Sequence, residues 1–212
     1  NENIGWSHTV NSPDLIDVYE LTLNPNNSNQ YLFNGKYENF EISVAKIKIK
    51  IWGPIKWTFK RKVYRSKHGP VISNDHGTFA IRYSGYNEFR YLEQWFKMNK
   101  SKNFEDFESA LKLMAIPMFN TIYADKEGNI FYLYNALFPK RKKEYSWKGA
   151  PLEGNTSDNL WNEYYPYEYL PKVLNPKSGF LQNCNSSPFL ATIGNENPDE
   201  SLYHSNLGIE RF

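Results

Sequence analysis

The chain has 212 residues and a formal net charge of +2, so it suits one medium domain or part of a larger one. Its balanced charge lacks the wide cationic face that a nucleic-acid partner needs, and its single cysteine, Cys184, excludes an intrachain disulfide and a cysteine-rich metal site. No apolar run approaches bilayer length and no signal-peptide pattern opens the chain, so neither a membrane nor nucleic acid is an expected partner.

Aromatic residues make up 17% of the chain, which points to broad packed faces or concave pockets, because buried Tyr and Trp must still satisfy a polar end. The chain opens at Asn1 without an initiator Met and enters a strand-like segment at Trp6 to Val10. It therefore reads as a processed or trimmed product. Ile16, Val18, Tyr19 and Leu21 lie in a second segment of β-formers. The stretch 42–51 contains the alternation Lys46-Ile47-Lys48-Ile49-Lys50-Ile51, which predicts a half-buried antiparallel strand. Gly53-Pro54 breaks it and alternation resumes over 57–64, so 42–64 reads as a hairpin.

Two helices are expected next. Residues 88–98 place Leu92, Trp95 and Phe96 on one side, and residues 103–114 place Phe104, Phe107, Leu111 and Met114 at helical spacing. Both stripes are expected in the core. Asn103 is positioned to cap the second helix, with Glu105 and Asp106 in its first turn. A hairpin follows: strands 119–124 and 130–134 joined by Asp125-Lys126-Glu127-Gly128-Asn129. Residues 139–176 carry five prolines and read as loop, and the run Lys140-Arg141-Lys142-Lys143 reads as a solvated part of it. A strand over 180–183 closes the pattern. Strands, then helices, then strands make an α+β chain with mostly antiparallel pairing, and no second domain is set apart within 1–212.

Generic motifs are absent: there is no phosphate-binding loop, no His-Glu-x-x-His and no Gly-x-Ser-x-Gly. The histidines at 8, 68, 76 and 204 show no metal-ligand spacing. What remains is an Asp-x-x-Asp at 14–17 and an Asn-rich turn at 183–185.

Those two features carry a resemblance. Residues 6–19, from Trp6 through His8, Val10 and Asp14 to Tyr19, look like the stretch of the penicillin acylase family that follows its nucleophile-bearing segment. His68-Gly69-Pro70-Val71 is similar to that family's His-Gly-Pro element, and Asn120 to Ile130 resembles its Asn…Ala-Asp…Gly-Asn-Ile hairpin. Asn175-Pro176…Gly179…Asn183-Cys184-Asn185 is similar to its Asn-Pro…Gly…Asn-x-Asn element. Four matches in the family's order span residues 6–185.

The resemblance implies the αββα sandwich of N-terminal-nucleophile hydrolases, here incomplete. In that family an N-terminal Ser attacks an amide and its own α-amino group serves as base. Asn1 cannot do this, so the resemblance places the Ser upstream of this chain. Val10, through its backbone N–H, and Asn185, through its side-chain amide, are the implied oxyanion donors, with Asn183 the neighbouring alternative. Arg211 is the implied arginine near the Ser. Asp14, Ile16 and Asp17, with Asp199 or Glu200, a carbonyl near Lys148 and an acid from a separate α-chain, are the implied calcium shell.

The implied function is hydrolysis of a small N-acyl substrate, with the missing β-chain segment and the α-chain as partners and a periplasmic or extracellular location. The fragment alone is expected to be inactive. Two rival readings stand beside it: a non-catalytic module binding a ligand such as a glycan on an aromatic surface, and an inactive acylase-like scaffold. His8 is expected to be a packed, hydrogen-bonded histidine, and His68 a structural one satisfying backbone groups at a turn.

Overall fold

The computed structural model describes residues 1–142, 147, 149, 151–203 and 207–209. In chain order its strands are β1 (Ile4–Thr9), β2 (Ile16–Glu20), β3 (Leu23–Asn24), β4 (Asn27–Phe33), β5 (Lys36–Asn39), β6 (Glu41–Trp52), β7 (Ile55–Arg65), β8 (Pro70–Asn74) and β9 (Gly77–Tyr83). Helices α1 (Tyr91–Lys100) and α2 (Phe104–Leu111) follow, then β10 (Met118–Asp125), β11 (Ile130–Ala136), β12 (Leu152–Glu153) and β13 (Lys172–Leu174). All sheet pairing is antiparallel except the two-residue β12–β2 ladder.

The chain forms two compact units. The first comprises Asn1–Leu15, Ser84–Lys140 and Asn162–Phe212, and the second Ile16–Tyr83 and Arg141–Trp161. In the first unit the sheet order is β1-β10-β11-β13. β11 is apolar almost without interruption, and all of its residues but Ile130 are buried. It therefore sits centrally, where both faces of a strand are covered. Tyr132 and Tyr134 lie in this core, and Tyr132 directs its hydroxyl to the Asn120 side chain at 2.8 Å. The aromatic content thus goes chiefly into packing. α2 buries Phe107, Ala110 and Leu111, with the Phe107 ring 4.7 Å from that of Tyr123. Asn103 caps α2 as its sequence predicts, accepting from the Asp106 N–H at 2.9 Å.

α1 departs from expectation. Leu92 and Phe96 are exposed at 65% and 61%, whereas Gln94 and Met98 are buried. The reason is a backbone demand: Gln94 Oε1 accepts from the N–H groups of Ala115 and Ile116 at 2.7 and 3.0 Å, so the helix turns a polar side chain inward. The expected strand at 180–183 is also absent. Those residues form an extended loop, and the nearby strand is instead β13, inside the proline-rich stretch read as loop.

In the second unit the sheet order is β12-β2-β9-β8-β7-β6, and β3-β4-β5 forms a small sheet of its own. The Asn34-Gly35 turn that closes β4 onto β5 has both residues in the left-handed region, which Asn and Gly tolerate best. β6 and β7 form the hairpin that the Lys/Ile alternation predicts, with the turn at Gly53-Pro54. The predicted half-burial fails, however: every residue from 46 to 62 is exposed, whichever face it occupies.

The core of this unit is an aromatic cluster around His68. Its ring lies 4.6 Å from that of Tyr19 and 5.5 Å from that of Phe33. The turn beneath it requires glycine: Gly69 has φ +148°, and a Cβ there would lie 2.2 Å from the Ile81 carbonyl oxygen. His68 meets the expectation of a structural histidine only weakly: the Thr156 backbone is the one backbone group acting on its ring. Both ring nitrogens are buried and neither has a well-formed hydrogen bond among the described residues. Burial pushes the imidazole pKa down to about 4, the Arg82 guanidinium adds to the shift, and the Thr156 backbone opposes it. The unfolded chain takes up this proton near pH 6.5 and the folded chain only near 4. Stability is therefore lost as pH falls through that window, by up to about 3 kcal/mol. Urea unfolding at a series of pH values should show this loss, and His68→Phe, which keeps an aromatic ring but cannot be protonated, should flatten it.

Candidate active site

The residues singled out at the two ends of the sequence meet in the first unit. β1 pairs with β10 in a register that sets Thr9 opposite Asn120, so Val10 leaves the strand beside the Asn120 side chain. The Asn120 carboxamide is buried and fully used. Its Nδ2 donates to the Val10 carbonyl at 3.2 Å and to Asn183 Oδ1 at 3.0 Å, while its Oδ1 accepts from the Tyr132 hydroxyl. Asn183 Oδ1 also accepts from the Asn185 backbone N–H at 2.9 Å and from the Thr9 hydroxyl. Asn183 Nδ2 donates to the Ser186 carbonyl at 3.1 Å.

This network holds Asn185 in the left-handed region, at φ +64°, a conformation that Asn tolerates because its short polar side chain bonds locally. The exposed Asn185 side chain then reaches Val10, whose N–H donates to Asn185 Oδ1 at 2.8 Å. The two candidate donors are thus adjacent although 175 positions separate them. In this state the carboxamide oxygen occupies the acceptor position at the Val10 N–H. A negatively charged oxygen that displaced it would find the Val10 N–H and, after rotation of the carboxamide, the Asn185 NH₂ as donors. Asn183, the alternative, is buried with its amide already committed.

His8 lies on β1, two residues before Val10. Its Nε2 accepts from the Trp95 indole N–H at 3.1 Å, which puts the ring proton on Nδ1. Nδ1 faces the Asn120 carbonyl at 3.1 Å and the Thr121 hydroxyl at 3.2 Å. Burial lowers its pKa, so the ring is a neutral, packed and hydrogen-bonded histidine, as expected from the sequence. The ring of Phe119 stacks on it at 5.3 Å. Phe119 itself has φ +135°, a strained value for a residue with a Cβ, costing about 1–3 kcal/mol. Its N–H bond to Asn11 Oδ1, at 3.0 Å, helps hold it there.

Sequence reasoning missed Asn120 and Asn11 as supports of this site. The available signal was an Asn inside an apolar strand run, where it is disfavoured unless its side chain has fixed partners. Arg211 and the carbonyl near Lys148 lie outside the described residues.

The acidic residues implied for calcium do different work. Asp17 is buried, and its Oδ2 accepts from Arg141 Nε at 2.9 Å and from the Trp161 indole at 2.5 Å. Arg141 is correspondingly buried, not part of a solvated run. Asp199 caps a single helical turn, accepting from the Ser201 N–H and hydroxyl at 3.0 and 2.7 Å. Glu200 and Ile16 are exposed, and the Asp14 backbone N–H donates to the Leu207 carbonyl. Among the described residues no three His, Cys, Asp or Glu side chains come together as a metal site. A guanidinium already neutralises Asp17, so in this arrangement its carboxylate is not free for a cation.

With this geometry in view, the comparisons are specific. The thermostable penicillin G acylase from Alcaligenes faecalis, solved in an orthorhombic form, is similar with a TM-score of 0.78 and 30% identity, over 89% of this chain and 34% of that one. The chain thus has the α+β fold of the N-terminal-nucleophile hydrolases. The penicillin amidase family profile matches residues 1–206, and the chain belongs to that family. Penicillin G acylase of Escherichia coli is 29% identical over 89% of this chain and 22% of its own length. Acyl-homoserine lactone acylase PvdQ of Pseudomonas fluorescens (strain Pf0-1) is 24% identical over 90% of this chain and 28% of its own. The chain therefore spans about a quarter of these two relatives.

The buried ion pair makes a sharp stability prediction for the second unit. Arg141→Ala would leave the Asp17 charge buried without its cation, at a cost of about 3–5 kcal/mol. The double change Asp17→Leu with Arg141→Met removes both charges and should cost clearly less. Equilibrium urea unfolding of the two variants checks the order.

Proposed function

We propose that this chain is part of the β-chain of an N-acyl amidohydrolase whose nucleophile is an N-terminal Ser outside these residues. The observation that carries the reading is the meeting of the Val10 N–H with the Asn185 side chain at 2.8 Å, at the positions where the family resemblance expects the oxyanion donors. Penicillin G acylase and acyl-homoserine lactone acylase are named for N-acyl substrates, and a small N-acyl amide is the substrate class proposed here.

The chemistry follows from the groups. The free α-amino group of the Ser, with a pKa near 8, takes the hydroxyl proton as the oxygen attacks the acyl carbon. Negative charge moves onto the carbonyl oxygen. That oxygen accepts from the Val10 N–H, and the Asn185 amide swings so that its NH₂ supplies the second bond. Collapse expels the amine, which takes the proton, and a water molecule then releases the acid by the same two steps. Val10 acts only through its backbone, so its side chain is replaceable. His8, Asn120 and Asn183 hold the donors without touching the substrate. The rest of the β-chain and an α-chain complete the pocket, in a periplasmic or extracellular protein, and Arg211 is proposed to orient groups near the Ser.

In the whole protein, Asn185→Ala should lower kcat by about 100-fold or more, the usual cost of one lost oxyanion donor, while Val10→Ala leaves it within a few-fold of wild type. Steady-state kinetics on an N-acyl amide checks both. Near-normal turnover by Asn185→Ala would overturn the assignment. A wild-type protein that neither processes itself nor turns over any N-acyl amide would favour an inactive scaffold.

A further inference from the structure

The β6–β7 hairpin has no role in the proposed acylase chemistry, and its construction is unusual. From the Ser43–Val63 pair to the Gly53-Pro54 turn its two strands pair only with each other, a ribbon about 30 Å long. Residues directly opposite in an antiparallel pair share a face. Ile47 pairs with Phe59 and Ile49 with Trp57, so the outer half of one face is apolar, with the Trp57 and Phe59 rings 6.0 Å apart on it, and Arg61, opposite Ala45, follows on the same face nearer the sheet. Lys46 pairs with Lys60, Lys48 with Thr58 and Lys50 with Lys56, so the other face is cationic. The tip carries Trp52, 77% exposed, beside Ile51 and Ile55.

Neither face is satisfied within the unit. Residues 42–65 contain no acid, and among the described residues none of these lysines has an ion-pair partner. Two Lys–Lys pairs face each other directly, an arrangement that repels. A lone two-stranded ribbon is marginal in water, and this one also exposes its Ile and Trp side chains.

We propose that this ribbon docks on an anionic lipid surface. Only a medium that is apolar beneath and negatively charged at its boundary answers both faces together. The Ile and Trp side chains enter the acyl boundary while the flexible lysine stems reach the headgroups. An acidic soluble protein would answer the lysines and leave the apolar face in water. Nucleic acid would need a row of cations beside its stacking rings, but here Arg61 is the ribbon's one cation on the face of Trp57 and Phe59, and the lysines lie on the other. A second copy pairing along the exposed β6 edge would bring lysine ladders together, which opposes it. This role is contrary to the sequence expectation of no membrane partner, which rested on bilayer-spanning length alone. It does not depend on the acylase reading.

The test is partition of the whole protein onto vesicles of phosphatidylcholine alone or with about one-third phosphatidylglycerol. Preferential, salt-sensitive binding to the anionic vesicles is expected, with Trp fluorescence quenched by brominated acyl chains. The triple change Lys46→Gln, Lys48→Gln, Lys60→Gln should weaken it on the order of 100-fold, at about fivefold per lysine. Trp52→Ser with Trp57→Ser should abolish the lipid quenching. All of these positions are exposed, so melting temperature should not move and misfolding is separable from lost binding. Equal or absent partition onto both vesicles, or variants that bind as wild type does, would overturn the proposal. So would retention by single-stranded oligonucleotide in preference to vesicles. Shielding of Trp52 and Trp57 from acrylamide before lipid is added would show instead that another part of the same polypeptide covers the ribbon.

Discussion

The candidate site rests on one carbonyl oxygen, that of the Asn183 side chain. It gathers donors from three places: the Thr9 hydroxyl at the end of β1, the Asn120 amide on β10 and the Asn185 backbone in its own loop. A buried carboxamide oxygen left without donors would be costly, so the loop has a strong reason to lie against the sheet at this point. Once it does, Asn185 is held in a conformation that aims its side chain at Val10. The donor pair is thus a consequence of a polar knot centred on two buried carboxamides, those of Asn120 and Asn183.

The surroundings of that knot are tuned for fixity. Trp95 dictates which nitrogen of His8 carries the proton, and burial keeps the ring neutral. The neutral form can donate to the Asn120 carbonyl while accepting from the indole, whereas a protonated ring would meet the indole N–H with a second donor. Phe119 accepts backbone strain in the same place. Strain of that kind persists only where neighbouring contacts over-determine the geometry, and here the β10–β11 ladder, Asn11 and the His8 ring all do so.

The second unit solves a different problem with charge. Asp17, Arg141 and the Trp161 indole form a buried cluster in which the carboxylate takes both donors. Asp17, the second acid of the motif that resembles a calcium element, is therefore neutralised by Arg141. The β6–β7 ribbon shows the converse: its lysines at 46, 48, 50, 56 and 60 have no ion-pair partner among the described residues, on a surface whose opposite side is chiefly apolar and exposed.

Much of this was legible in the sequence. Alternation located the β6–β7 hairpin, Asn103 and its acidic first turn marked the start of α2, and four ordered motifs carried the family and hence the adjacency of Val10 and Asn185. Periodicity reports which residues share a face but not what covers that face. That is why the Lys/Ile strand was expected to be half-buried and Leu92 and Phe96 to be in the core. It is also why a run-based count of cations noticed residues 140–143, where Arg141 proves buried, and passed over lysines spaced every second residue. Partners distant in sequence were beyond local reading altogether. Nothing near Asp17 announces Arg141 124 positions away, and nothing near His68 announces that its ring would be buried among Tyr19 and Phe33. The sequence by itself determined the family, both helices and the two long hairpins. Only the tertiary structure decided which polar groups are paired, because pairing depends on long-range approach and on the burial that makes it necessary.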